Sequence, residues 1–115
     1  MTKRIEAGPR MAQAVVHGQT VYVAGQVASD TSADVSGQTR QILSRIDALL
    51  AAAGTDKSRL LSATIYLANI GTFAAMNHVW DAWVVPGATP ARATVEAALA
   101  APEYTVEIVV IAALP

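Results

Sequence analysis

Cysteine is absent from this 115-residue chain. That removes disulfides, thiol nucleophiles and cysteine-ligated metals together, and it fits a reducing compartment. Aromatic residues make up only 5% of the chain, so its core must be built mainly from aliphatic side chains. Charge is sparse as well, at 15%, and the net charge of −1 excludes the basic footprint of a nucleic-acid binder. No apolar run approaches the roughly 20 residues that a membrane-spanning helix needs. Nor does one follow the opening Met1-Thr2-Lys3-Arg4-Ile5-Glu6, so no secretory signal is expected. These absences lead to the expectation of a soluble, cytoplasmic domain whose partner is a small molecule rather than a membrane or nucleic acid.

What is present is a hydrophobic fraction of 53%, rich in Ala, Val, Leu and Ile. Residues 1–115 suffice for one domain with one core. With so little charge to cover the remaining surface, exposed apolar area is expected, and an oligomer would bury it.

Gly8-Pro9 punctuates a short polar start. Val15-Val16 and Val21-Tyr22-Val23, around His17-Gly18-Gln19-Thr20, read as a hairpin. After the polar loop Ser29–Asp34, the pattern Val35, Thr39, Ile42, Ile46, Leu49, Leu50 and Ala53 takes helical spacing. Gln38, Arg40, Gln41, Arg45 and Asp47 fall on the other side, and Gly54 suits a helix-ending position. Leu60–Leu67 reads as a strand. Thr72 is a candidate N-cap for a second helix striped by Phe73, Met76, Trp80 and Trp83, which Pro86-Gly87 ends. Strands are expected at Ala91–Ala98 and Thr105–Ala112. The last is so apolar that it should lie centrally or be covered on both faces. Two helices on one face of one sheet would satisfy this order.

Against that background two charged residues stand out inside strands, Arg92 and Glu107. Burying either is costly unless it is paired or hydrogen-bonded. One reading is a carboxylate-binding arginine, whose planar fork suits bidentate capture, with a glutamate that moves a proton or places a water. The other is a salt bridge, or two solvated side chains on a rim. His17 beside the hairpin turn and His78 on the second helix lack partners at ligand spacing, so no metal is expected. Asn77, one turn after Phe73, is an amide near a buried stripe and must find partners there.

Seven segments, in order, carry a resemblance to a known family. They are Gly8-Pro9, Val21-Tyr22-Val23-Ala24-Gly25-Gln26, Gln38-Thr39-Arg40-Gln41, Thr64-Ile65-Tyr66-Leu67, Phe73-Ala74-Ala75-Met76-Asn77, Pro90-Ala91-Arg92-Ala93-Thr94-Val95-Glu96 and Val106-Glu107-Ile108. The chain resembles the YjgF/RidA family over nearly its whole length. The resemblance implies an α+β, chorismate-mutase-like fold, a mixed sheet with two helices on one face, assembled as a homotrimer with clefts between subunits. It implies hydrolysis of small enamines and imines of the 2-aminoacrylate type to a 2-keto acid and ammonia, without cofactor or metal. Arg92 would hold the substrate carboxylate and Glu107 would activate the water, with Gly25 and Asn77 in or near the cleft. The chain departs from the family pattern in three places. Thr94 replaces a common cysteine, Ala24 replaces a common serine, and Arg10-Met11 replaces a tyrosine in a segment one residue longer. Arg10, Ala24 and Thr94 therefore make the cleft wall distinctive, and Arg10 is a candidate second cation. Two alternatives stay open: a divergent member hydrolysing another small catabolic intermediate, and a non-catalytic ligand-binding trimer.

Overall fold

The computed structural model describes residues 1–115 as six strands and two helices. In chain order they are β1 (Thr2–Ile5), β2 (Ala14–His17), β3 (Thr20–Gln26), α1 (Val35–Ala53), β4 (Leu60–Leu67), α2 (Phe73–Trp83), β5 (Ala91–Glu96) and β6 (Val106–Ala113). The expected architecture is observed, with both helices on one face of a single mixed sheet ordered β1-β2-β3-β6-β4-β5. Only β4 and β5 pair in parallel. Strand β6 is central, as its continuous apolarity required.

Alternation along β6 divides the molecule. Val106, Ile108, Val110 and Ala112 are buried beneath the helices, while Glu107, Val109, Ile111 and Ala113 face the other way. The same division runs through the sheet. Val21 and Val23 of β3 and Ala63, Ile65 and Leu67 of β4 join Ile42, Ile46, Leu49, Leu50, Met76 and Trp80 of the helices in one core. The opposite face carries Val15, Tyr22, Thr64, Tyr66, Val95, Val109 and Ile111, with no covering layer from this chain. Tyr22 and Val95 are 49% and 44% exposed there, and large apolar groups left open on one sheet face mark an interaction surface.

Four local expectations are corrected. The polar opening contains β1, an edge strand that turns only Ile5 into the core. Gln38 is not on the outer side of α1 but fully buried. Its Nε2 donates to the carbonyls of Glu103 (3.0 Å), Ala33 (3.1 Å) and Thr31 (3.4 Å). Its Oε1 accepts from Thr105 N at 3.0 Å, so a polar group stands in the core with its partners met. Thr72 makes no side-chain cap on α2; a 3-10 turn over Ile70–Thr72 precedes that helix, capped by Asn69 Oδ1 accepting from Gly71 N. The fifth and sixth strands are Ala91–Glu96 and Val106–Ala113, shorter or shifted by one or two residues. The start of α1 is made by Asp34, whose carboxylate accepts from Gly37 N at 2.9 Å. Gly54 ends that helix at φ 90°, a left-handed conformation that favours glycine.

Candidate functional site

Strand pairing decides where each singled-out residue points. Arg92 is registered with Ala63 and Thr94 with Ile65, both partners in the core, so Arg92, Thr94 and Glu96 lie on the helix side of β5. Glu107 is registered with Tyr66 and lies on the open face. Within one subunit the two residues are therefore on opposite faces of the sheet.

Arg92 sits at the sheet edge against the start of α2. Its Cζ lies 5.4 Å from the ring centroid of Trp80 and 5.8 Å from that of Phe73. Cation–π contacts of this kind are worth about 0.5–2 kcal/mol and hold a guanidinium plane while leaving its N–H fork free. The fork is free here, because the one ion pair in the chain is Arg45–Glu6. This also explains Phe73, expected in the core stripe but 42% exposed: its ring serves the arginine rather than the core. Two polar atoms in these same elements, Asn77 Oδ1 on α2 and Thr94 Oγ1 on β5, are buried with no hydrogen-bond partner. Buried polar atoms left unpaired cost about 1–3 kcal/mol each, so neither group is satisfied by the chain itself, as is also true of Thr105 Oγ1 before β6. Glu96 closes this edge by accepting from Ile70 N at 3.0 Å, which ties β5 to the 3-10 turn before α2.

Glu107 belongs to a second constellation. A Cβ added to Gly25 would stand 2.1 Å from Glu107 Oε2 and 2.9 Å from its Cδ. Only a glycine admits the carboxylate there, and the glycine lies where β3 shifts register between Val23 and Gln26. Gln26 turns inward and anchors the bend, donating from Nε2 to Gln13 Oε1 and to the Ala24 carbonyl, both at 2.9 Å. A recess of ≈ 300 Å³ opens beside the carboxylate, walled by Tyr66, Val109 and the run Ala97–Ala100. Ala24 is half-buried next to Gly25. Arg10 is exposed in the bend between β1 and β2, at the end of the sheet that holds Gly25, and touches neither constellation within the subunit.

The chain thus carries two candidate half-sites: the free guanidinium of Arg92, with the unpaired Asn77 and Thr94 in the elements beside it, and the recess of Glu107, with Gly25 against its carboxylate and Ala24 next in the strand. Sequence reasoning missed the two rings behind Arg92 and the tyrosine beside Glu107. The i, i+7 spacing of Phe73 and Trp80 on one helix side was the available signal for the rings. No three His, Asp or Glu side chains converge as metal ligands. No helix is long and apolar enough to cross a membrane.

The chain is similar to known proteins along its whole length. A family model described as Endoribonuclease L-PSP matches residues 1–114. A RutC family protein of Haemophilus ducreyi is 47% identical over 99% of this chain and 97% of its own. The RutC family protein YoaB of Escherichia coli is 48% identical over 96% of each chain. Among solved structures, a member of the YjgF protein family from Neisseria meningitidis superposes with a TM-score of 0.98 at 42% identity, covering 100% of this chain and 96% of that one. An uncharacterized protein from Pseudomonas aeruginosa gives 0.97 at 44%, covering both chains completely.

Proposed function

The chain belongs to the YjgF/RutC family, and from that premise we propose that it is a hydrolytic deaminase of small enamine and imine carboxylates. The observation that carries this reading is Arg92, a guanidinium braced on two rings with no carboxylate partner of its own. A 2-imino acid offers that partner. Its nitrogen and carboxylate also offer hydrogen-bonding groups to the unpaired Asn77 Oδ1 and Thr94 Oγ1.

The reaction needs little from the protein. A 2-aminoacrylate tautomerises to 2-iminopropanoate, whose C=N carbon is already electrophilic. Water adds to that carbon, giving up one proton to Glu107. The imine nitrogen takes up that proton from Glu107, giving a carbinolamine; a second proton then passes from its hydroxyl through Glu107 to the nitrogen as the C–N bond breaks, and ammonia and a 2-keto acid leave. Holding the carboxylate and placing one water convert this into a local event, and a positioned acid–base group adds about 10²–10⁴-fold. No cofactor or metal enters that scheme.

A single subunit cannot assemble the site, because Arg92 and Glu107 lie on opposite sheet faces. The proposal therefore includes a homotrimer whose packed open faces bury Tyr22, Val109 and Ile111, with each cleft taking Arg92 from one subunit and Glu107 from its neighbour. The test is ammonia or keto-acid release from freshly generated 2-aminoacrylate. Arg92→Ala should lower kcat/KM by about 100-fold or more, and Glu107→Gln should lower kcat with carboxylate affinity kept. A rate indifferent to Arg92→Ala would refute the assignment. Carboxylate binding without turnover on any imine would replace catalysis by ligand binding.

A further inference from the structure

The largest hollow on the molecule is neither half-site. It is a groove of ≈ 370 Å³ on the outer surface, between α1 and α2. Both helices run antiparallel to β4, since α1 connects β3 to β4, which run the same way on either side of β6, and α2 connects the parallel pair β4 and β5. Arg40 and His78 thus mark one end of the groove, and Asp47, Trp83 and Lys57 the other.

Two features separate this groove from an ordinary helix seam. First, its two cations have no ion-pair partner. Asp47, its one carboxylate, is occupied by the Trp83 indole, whose Nε1 donates to both carboxylate oxygens at 3.1 and 3.2 Å. Arg40 and Lys57 form no ion pair with any group in the chain. Counting Arg40, Lys57 and Asp47, the groove holds one net positive charge in a chain whose total is −1. Second, its floor is apolar and its aromatic wall is fixed. Leu43 and Val79 form the base, and the Trp83 ring is held by Asp47 below and by Lys57 Nζ, 5.1 Å from its centroid. An apolar floor with a few converging polar groups, in a hollow of this size, is the make-up of a small-molecule site.

We propose that the groove between α1 and α2 is a second ligand site, taking a small organic monocarboxylate with a flat apolar body. The body would lie on Leu43 and Val79 against Trp83, and the carboxylate would be held by Arg40 or Lys57. One net positive charge suits a monoanion, and Asp47 disfavours a dianion such as a phosphate ester. The proposal stands on the groove alone and does not depend on the deaminase reading.

The two tryptophans make the test internal. Trp80 lies against Arg92, while Trp83 lines the groove, so their indole N–H resonances report the two places separately in one nitrogen–proton correlation spectrum. Benzoate, titrated into the intact protein, should shift the Trp83 resonance saturably, and benzamide, which lacks the charge, should not. Affinity read at Trp83 should fall about 10-fold in the double variant Arg40→Gln/Lys57→Gln and persist in Arg92→Gln, a loss of about 1.4 kcal/mol. Dispersion of the remaining resonances shows whether each variant is folded. The proposal is overturned if benzoate moves only Trp80, if benzamide shifts Trp83 equally, or if the double variant binds as tightly as the parent.

Discussion

Replacing Gln38 by leucine should destabilise the domain far more than its place on a helix suggests. The side chain is fully buried and bridges three segments: the loop before α1, the turn before β6, and α1 itself. An amide nitrogen has two hydrogens, so of its three carbonyl contacts the 3.4 Å one to Thr31 is the weakest and at best shared. That leaves about three full hydrogen bonds, each worth about 1 kcal/mol net, and the leucine would strand Thr105 N and the Glu103 and Ala33 carbonyls. A loss of about 3 kcal/mol is expected, a large share of the roughly 5–15 kcal/mol that holds a domain of this size together. At about 4 °C per kcal/mol the midpoint should fall by about 12 °C, compared at equal protein concentration because an oligomer's Tm depends on it. Gln41→Leu is the control. Gln41 bonds only Asp30, by its backbone N and carbonyl at 3.0 Å each, in an exposed setting, so its loss should be under about 1 kcal/mol. Calorimetry and denaturant titration read both, and hydrogen exchange at Thr105 N–H reads the local effect. Equal losses for the two variants, or a fall of less than about 3 °C for Gln38→Leu, would refute the reasoning.

Three further outcomes follow from the geometry. Gly25→Ala forces the Glu107 carboxylate out of its recess, so deaminase turnover should drop at least about 10-fold while the circular dichroism spectrum stays unchanged; full activity would mean the carboxylate's position is immaterial. Hydrogen bonds from Ser32 and Ser58 hold the carboxyls of Asp30 and Asp56 below their ordinary value of 3.8. Each thus favours the folded state above that value and loses its contribution as pH falls through the lowered one. The double variant Asp30→Asn/Asp56→Asn should show a flatter fall in Tm below about pH 4, and an unchanged acid limb would contradict this. Ile111→Glu puts a charge in the middle of the open face, so a light-scattering mass of three times 12.0 kDa for the parent should fall toward the single-chain value; a variant that stays trimeric would place the interface elsewhere.

The elements with one apolar stripe were legible from the residues. Helix α1 shows its spacing from Val35 to Ala53, and β6 shows its centrality in continuous apolarity. Three things were not legible, each for a physical reason. Gln38 was assigned outward because periodicity sorts by hydrophobicity, and an amide buried with its partners met looks like a surface residue. Strand β1 was invisible because an edge strand needs only one inward side chain, and Lys3 and Arg4 hide the pattern while guarding the edge. The faces of Arg92 and Glu107 could not be known. Alternation orders the residues within a strand, but only the pairing of Ala63 with Arg92 and of Tyr66 with Glu107 relates one strand to the next. Arg92 and Glu107 were thus nameable in advance as candidates, whereas the opposite sheet faces they occupy, and the rings and tyrosine beside them, were not.

The placement of Arg92 and Glu107 on opposite faces of one sheet has a genetic consequence. A chain carrying Arg92→Ala keeps an intact glutamate face, and a chain carrying Glu107→Gln keeps an intact arginine edge. In the homotrimer proposed above, if both are made in one cell, or unfolded and reassembled together, each mixed trimer would hold one cleft of its three in which two unaltered halves meet. Two alleles inactive alone would then complement each other in part, read as recovered deaminase activity. A cleft supplied by one chain alone could never behave so.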